Sequence, residues 1–278
     1  MKKVSKKEAY AANGVQFDKD KVFVEQVGWI RPVMKNNDRK TGKSVYTFGL
    51  LPTNQTFSKD FEKWQKYLAA FHCSQIKGSC NCHCKKCYAM GGNYQFPDVK
   101  ASQLINQLLA MYDISQLERL IEGQIAADGI KKIRIHDSGD FLSDEYAEMW
   151  KRIKQRHPEI AIYTYTKTEH EELFDEFPNA NVVRSLVKMP DGSRRINFGT
   201  CREMYDIYMA LKDSSDIYLC PCDIPGIKAP ECGNCMKCSV RRAVLFIKHG
   251  DRTYDVRKDP DLPLIYQIMR EQGEEFAE

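Results

Sequence analysis

The residues of this chain best equipped for chemistry are its eleven cysteines, nine of which fall in two clumps. The first clump is Cys80, Cys82, Cys84 and Cys87, spaced Cys80-x3-Cys84-x2-Cys87 with Cys82 inside the first gap. Three thiolates this close can hold three corners of a cubane [4Fe–4S] cluster and leave the fourth iron open to a substrate or cofactor. A structural zinc site built from all four thiols is the alternative, although two successive one-residue gaps are cramped for a tetrahedral shell. His83, Lys85 and Lys86 read as solvated residues that offset thiolate charge. The second clump runs Cys220-x-Cys222-x9-Cys232-x2-Cys235-x2-Cys238, one thiol more than a four-thiolate site needs. Its C-x2-C-x2-C run is ferredoxin-like, while Glu-Cys-Gly-Asn-Cys looks like a zinc knuckle, so a second [4Fe–4S] cluster and zinc weigh evenly. Cys73 and Cys201 stand apart and read as small buried hydrophobes.

Thiols ligate only if the chain brings them together, and the apolar pattern predicts how. Residues 45–52 read as a strand stopped by Pro52. Phe61, Trp64, Leu68 and Phe71 then give one helical face after a Ser58 cap. The first cysteine clump follows in a loop over 73–97. A helix is predicted over 98–112, then another through Ile125, with a Ser115–Glu118 capping box at its start and Gly129 at its end. A strand over 131–136 leads into the turn Asp137-Ser138-Gly139-Asp140. Ser143 caps a helix that presents Tyr146, Met149, Trp150 and Ile153 on one face and stops at His157-Pro158. Further strands are predicted over 160–166, 182–187 and 217–219, with a short helix around Leu173, Phe174 and Phe177 and a longer one over 201–212.

Strands alternating with helices predict an α/β fold with a parallel sheet, open or closed into a partial barrel, whose ligands bind at the carboxyl ends of the strands. That rule makes neighbours of the first cysteine loop, the 137–140 turn, the exit of 160–166 at Thr166 and Lys167, Arg184-Ser185, and Cys220-Pro221-Cys222. The expected organisation is an N-terminal extension over 1–44, a partial-barrel core over 45–219, a cysteine-rich auxiliary metal lobe over 220–250 with few apolar residues of its own, and a helical tail over 251–278 lying on the surface.

Composition sets the outer bounds. With 278 residues, 42% hydrophobic and 29% charged, the chain has the make-up of an ordinary globular protein, which excludes collagen-like and wholly disordered readings. No apolar stretch reaches membrane-spanning length, and Met1-Lys2-Lys3 followed by Lys6, Lys7 and Glu8 does not read as an export signal. A cytoplasmic protein without membrane contact is expected, and there an odd cysteine count favours ligation over disulfides. A net charge of +4 falls short of a dedicated nucleic-acid binder.

The Cys80-x3-Cys84-x2-Cys87 loop resembles that of radical S-adenosylmethionine (SAM) enzymes, and Ser138-Gly139-Asp140 after a strand resembles their Gly-Gly-Glu segment. That resemblance implies that Cys80, Cys84 and Cys87 hold the cluster. It further implies that Ser138, Gly139 and Asp140 seat the SAM amine, and that Thr166, Lys167, Arg184 and Ser185 supply further SAM contacts. A flavodoxin or ferredoxin would then be the electron donor. The chain departs from that pattern in having Lys86 where an aromatic usually precedes the third cysteine, with Tyr88 after it, and a shorter acid at Asp140.

Five further segments together resemble phage and prophage proteins of the gene product 88 type: Cys87-Tyr88-Ala89, residues 134–150 (RIHDSGDFLSDEYAEMW), 163–168 (YTYTKT), 182–186 (VVRSL) and 232–250. The expectation is a phage-encoded radical SAM-type enzyme generating a 5′-deoxyadenosyl radical on an unspecified substrate. The competing expectation is a zinc-binding protein without catalysis that contacts nucleic acid or protein through Arg194-Arg195, Arg241-Arg242 and Lys85-Lys86. A third is an iron–sulfur protein that keeps its cluster for structure or electron transfer.

Overall fold

The computed structural model describes residues 4–36, 42–53, 56–57, 64–80, 87–214, 216–241, 243–248 and 254–277. Helix α1 (Lys6–Ala12) opens with a Ser5–Glu8 capping box, and β1 (Phe17–Asp18), β2 (Lys21–Val24) and β3 (Gly28–Ile30) form an antiparallel meander. Then come β4 (Tyr46–Phe48), β5 (Thr56–Phe57), α2 (Gln65–Ala70), β6 (Ile76–Lys77), α3 (Pro97–Tyr112), α4 (Ile114–Asp128), β7 (Lys132–Ile135), α5 (Asp144–Arg156), β8 (Ala161–Thr166) and β9 (Ala180–Arg184). The remainder is β10 (Leu186–Lys188), β11 (Arg194–Ile196), β12 (Phe198–Gly199), α6 (Cys201–Leu211), β13 (Ile217–Leu219), α7 (Cys232–Cys235), β14 (Ala243–Ile247) and α8 (Leu262–Glu271).

Strands β4, β7, β8 and β9 form a parallel sheet in that order, so the expected α/β architecture is present. Alternation splits its residues cleanly. Ile133, Ile135, Ile162 and Val182 join the core formed with α3, α4 and α5, where Trp150, Tyr146 and Phe48 are fully buried. Each such side chain contributes roughly 1.5–3 kcal/mol of transfer free energy. The alternate residues Lys132, Arg134, Tyr163, Tyr165, Asn181 and Val183 belong to the opposite face. A second parallel sheet, in the order β12-β14-β13, carries a second core: Leu219, Leu245 and Ile247 pack with Met204 and Ile207 of α6 and Ile265, Ile268 and Met269 of α8. The two sheets are stitched through Ser185, whose carbonyl accepts from the Asn197 amide at 3.0 Å, and through Asn197, whose carbonyl accepts from the Phe246 amide at 2.8 Å. Among the described residues no ladder returns from β13 to β4, so no closed barrel is formed.

Several expectations need correction. The cap of α4 is Asp113, which accepts from the Gln116 amide at 3.0 Å, while Glu118 faces Arg152 and Arg156 instead. Residues 171–176 form turns, not a helix; Phe174 is still buried, so the apolar signal was burial without helical hydrogen bonding. The strand expected over 45–52 ends at Phe48, because the Leu50 amide is taken by Ser138 O and the Leu51 amide by Gln107 Oε1. The end of the chain is not a surface appendage: α8 buries Leu262, Ile265, Ile268 and Met269. Ser58 and Phe61 lie outside the described residues. Among the described residues no helix is long and apolar enough to cross a membrane.

Candidate functional site

The parallel strands bring the predicted turn and Ser79-Cys80, where the first cysteine clump begins, to one place. Gly78, Ser79 and Cys80 press against the exit of β4; a Cβ on Gly78 would fall 1.6 Å from the Thr53 carbonyl oxygen, so no side chain fits there. The Ser79 amide donates to Leu51 O at 3.0 Å and its hydroxyl to the same oxygen at 3.1 Å. That hydroxyl in turn accepts from the Asp140 amide at 3.0 Å, which ties the residue before Cys80 to the exits of both β4 and β7. Gly139 has φ +83°, and a Cβ there would meet Ser79 Oγ at 2.5 Å and Leu50 Cβ at 2.7 Å. Glycine is therefore required for close packing of the two loops.

Asp140 is 2% exposed, and its carboxylate is built into the fold. Oδ1 accepts from Thr166 Oγ1 at 2.6 Å and from the Phe141 amide at 2.9 Å, and Oδ2 accepts from the Lys167 amide at 2.9 Å. Burial pushes its pKa up, and these hydrogen bonds pull it partly back. Ser138 is equally committed, donating to Leu50 O at 2.7 Å and accepting from Gln103 Nε2 at 2.5 Å. Beside them His136, at φ 59°, is buried with Nδ1 3.0 Å from Thr164 Oγ1 and Nε2 3.0 Å from Tyr146 OH. Burial first, and the His170 charge second, lower its pKa to about 3, so it stays neutral. Arg184 leaves β9 half-buried and pairs through Nε with Glu171 Oε2 at 2.9 Å. Ser185 is buried, its amide donating to Thr166 O at 2.9 Å.

The second clump sits against the other face of the main sheet. A short turn at Lys237–Ser239 packs on β8 and β9, Tyr165 OH donates to Cys238 Sγ at 3.1 Å, and Asn181 Nδ2 donates to Cys238 O at 3.1 Å and also to Arg241 O. Lys132 Nζ holds the Gly233 carbonyl. Cys220, Val183, Tyr218 and Val244 form a small cluster, with Cys222, Cys238, Tyr165 and Phe246 packed on it. Within it the Cys222 thiol interacts with the thiols of Cys220 and Cys232, and Cys238 lies within the field of Cys232 and Cys235. The neighbouring Cys220 thiol pushes Cys222 up to about 12, and burial pushes Cys238 up to about 12. Met236, at φ 49°, and Asp223, at φ 65°, make the left-handed turns that fold these thiols together. Soft donors are thus gathered, although among the described residues no three His, Cys, Asp or Glu are arranged to hold a metal ion.

Of the sequence-predicted residues, Ser138, Gly139, Asp140, Thr166 and Lys167 meet at one corner, and Ser185 is hydrogen-bonded to Thr166. Cys80 adjoins that corner through Ser79 and is buried, and Cys87 is half-buried. Cys82, His83, Cys84, Lys85, Lys86 and Arg242 lie outside the described residues. Cys201 is fully buried, as expected, whereas Cys73 is half-buried and donates to Gln75 O at 2.8 Å. Sequence reasoning overlooked Ser79, although it directly precedes Cys80, and it overlooked the Tyr165 contact to Cys238. Strand alternation, which separates Tyr163 and Tyr165 from Thr164 and Thr166, was the available signal.

Residues 33–238 match the family model described as Gene product 88. No curated protein and no solved structure matches the chain.

Proposed function

Given that the chain belongs to the Gene product 88 family, a membership that fixes no reaction, we propose that it is a radical SAM-type iron–sulfur enzyme, phage- or prophage-encoded and cytoplasmic. The observation that carries this reading is the seat of Cys80. Its neighbour Ser79 is hydrogen-bonded to the exits of β4 and β7, so the C-x3-C-x2-C loop starts at the carboxyl ends of parallel strands, where open α/β sheets and barrels bind ligands. When bound, a [4Fe–4S] cluster and SAM supply a 5′-deoxyadenosyl radical upon one-electron reduction.

In this reading Cys80, Cys84 and Cys87 hold the cluster. Ser138, Gly139 and Asp140 hold the β4 and β7 exits together, and the Asp140 carboxylate would supply the negative charge toward an ammonium. Lys167 and Arg184, both half-buried, face a carboxylate more readily than the committed Ser138 hydroxyl does. Arg184 would exchange Glu171 for the SAM carboxylate, with Ser185 and Thr166 beside the ribose. Cys220, Cys222, Cys232, Cys235 and Cys238 would hold a second cluster or zinc, the gathering of Cys222 with Cys220 and Cys232 being the support for either metal. Flavodoxin or ferredoxin would deliver the electron.

The test is SAM cleavage by anaerobically reconstituted protein. Formation of 5′-deoxyadenosine by the parent and its loss in Cys84→Ala is expected. Cleavage by the variant at the parent rate overturns the assignment, and a zinc-loaded, sulfide-free protein supports the non-catalytic zinc reading instead.

A further inference from the structure

Outside the ligating thiols, the polar groups at the β7 and β8 exits form an unbroken line from interior to surface. Asp140 Oδ1 lies 2.6 Å from Thr166 Oγ1, which lies 2.7 Å from Thr168 Oγ1; Thr168 Oγ1 is 2.9 Å from His170 Nδ1, and His170 Nε2 is 3.0 Å from Asp144 Oδ1. One end is buried, His170 is 20% exposed and Asp144 is 99% exposed. Every member is a hydroxyl, a carboxylate or an imidazole, groups that can each pass a proton.

Counting protons restricts the line to two arrangements. If Asp140 is ionised, Thr166 donates to it, so Thr168 must donate to Thr166 and His170 Nδ1–H to Thr168. The contact from Nε2 to the Asp144 carboxylate then also needs a proton, which makes His170 an imidazolium. If Asp140 is protonated, it donates to Thr166, Thr166 to Thr168 and Thr168 to Nδ1, which leaves a neutral His170 with Nε2–H donating to Asp144. The two states hold the same number of protons and differ by one proton moved inward: it leaves Nδ1 as the Thr168 and Thr166 hydroxyl protons each shift by one bond and Asp140 Oδ1 gains one, so atoms and charge balance. Exchange with water is a separate transfer at the outer end, where the imidazolium passes its Nε2 proton by way of the exposed Asp144 carboxylate to water, or regains one by the same route.

We propose that Asp140, Thr166, Thr168 and His170 form a proton wire through which a buried carboxylate exchanges its proton with water. Asp140 can then serve as acid or base toward an amine or other protic ligand at the strand ends while the turn stays closed. The wire stands on hydrogen-bond geometry and does not depend on an iron–sulfur cluster. Other charged or titratable groups around it are Lys167 beside Asp140, the neutral His136 and Tyr146 behind the β7 exit, and the Glu171–Arg184 pair next to His170.

The experiment is a pH titration of the His170 ring nitrogens by 15N NMR on the full chain, in the parent, Asp140→Asn, Thr168→Val and the double variant, with Thr168→Ser as the hydroxyl-preserving control. In the parent, the neutral form of His170 should be the Nε2–H tautomer. Asp140→Asn should shift the His170 midpoint by at least half a pH unit, and Thr168→Val should remove that shift while Thr168→Ser keeps it. An Asp140 effect that survives in Thr168→Val is through-space and overturns the wire, as does a His170 titration indifferent to Asp140. Should Asp140→Asn not fold, the tautomer is read with Asp144→Ala in every chain, which removes the acceptor at Nε2; loss of the Nε2–H preference on adding Thr168→Val but not on adding Thr168→Ser then supports the wire, and a preference indifferent to Thr168 overturns it.

Discussion

Ser79→Ala isolates the clamp that positions the cysteine loop. The substitution removes two hydrogen bonds, from Ser79 Oγ to Leu51 O and from the Asp140 amide to Ser79 Oγ, and leaves the backbone path intact. The Leu51 carbonyl keeps the Ser79 amide as a partner, so its share of the loss is about 0.5–1 kcal/mol. The Asp140 amide belongs to a buried residue and loses its partner, which costs about 1–3 kcal/mol. The sum, roughly 1.5–4 kcal/mol, corresponds to a fall in Tm of about 3–7 °C for a chain of this size. Thermal unfolding followed by circular dichroism reads that shift, and iron per chain after reconstitution reads its effect on the site. Ser143→Ala is the matched control: it removes the cap that accepts from the Tyr146 amide at 3.2 Å, costs about 1 kcal/mol, and leaves the cysteine loop untouched. If Ser79→Ala unfolds within about 1 °C of the parent, a small fraction of that shift, and binds the same iron, the clamp does not hold the loop and the reasoning fails.

Three other outcomes are expected. His136 has a folded pKa near 3 against an ordinary value near 6.5, so the unfolded state binds more protons between those values; stability is whole above about pH 6.5 and falls as pH drops toward 3, by up to about 1.4 kcal/mol per pH unit. Asp140, with its raised folded pKa, works in the opposite direction, so denaturant midpoints should lose acid sensitivity in His136→Gln and gain it in Asp140→Asn. Lys154 is fully buried and donates to Pro158 O and Ile160 O at 2.7 Å each and to Asn179 Oδ1 at 2.5 Å; Lys154→Met should cost about 1–3 kcal/mol in urea unfolding, since the buried Ile160 carbonyl loses a donor while the acceptors on Pro158 and Asn179 are nearer water. Arg184→Ala should raise the Kd for SAM about tenfold by equilibrium dialysis, through loss of one charge-assisted contact of about 1.4 kcal/mol.

The parallel sheet was legible because its strands are short, apolar and separated by helices with caps at Ser143 and Gly129, both found where expected. Signals that depend on tertiary competition were not. Asp113 displaced Ser115 as the cap of α4 because Glu118 is drawn to Arg152 and Arg156 across the helix pair. The apolar pattern alone places β14 in the cysteine lobe and makes α8 an appendage, since each finds its apolar partner only when the second sheet assembles. At the candidate site, the strand-end rule led to residues that do meet at one corner, but not to the use of their atoms. Ser138 and Asp140 spend their hydrogen bonds on Leu50, Gln103, Thr166 and Lys167, partners 26 to 88 positions away that no motif encodes.

The central claim is that these thiols hold iron–sulfur clusters, and the most direct test is iron, zinc and acid-labile sulfide per chain in protein purified without oxygen. About four or eight irons with matching sulfide, for one or two cubane clusters, is the result the account predicts. About one or two zincs with no sulfide would contradict it and leave a zinc-stapled protein without radical chemistry.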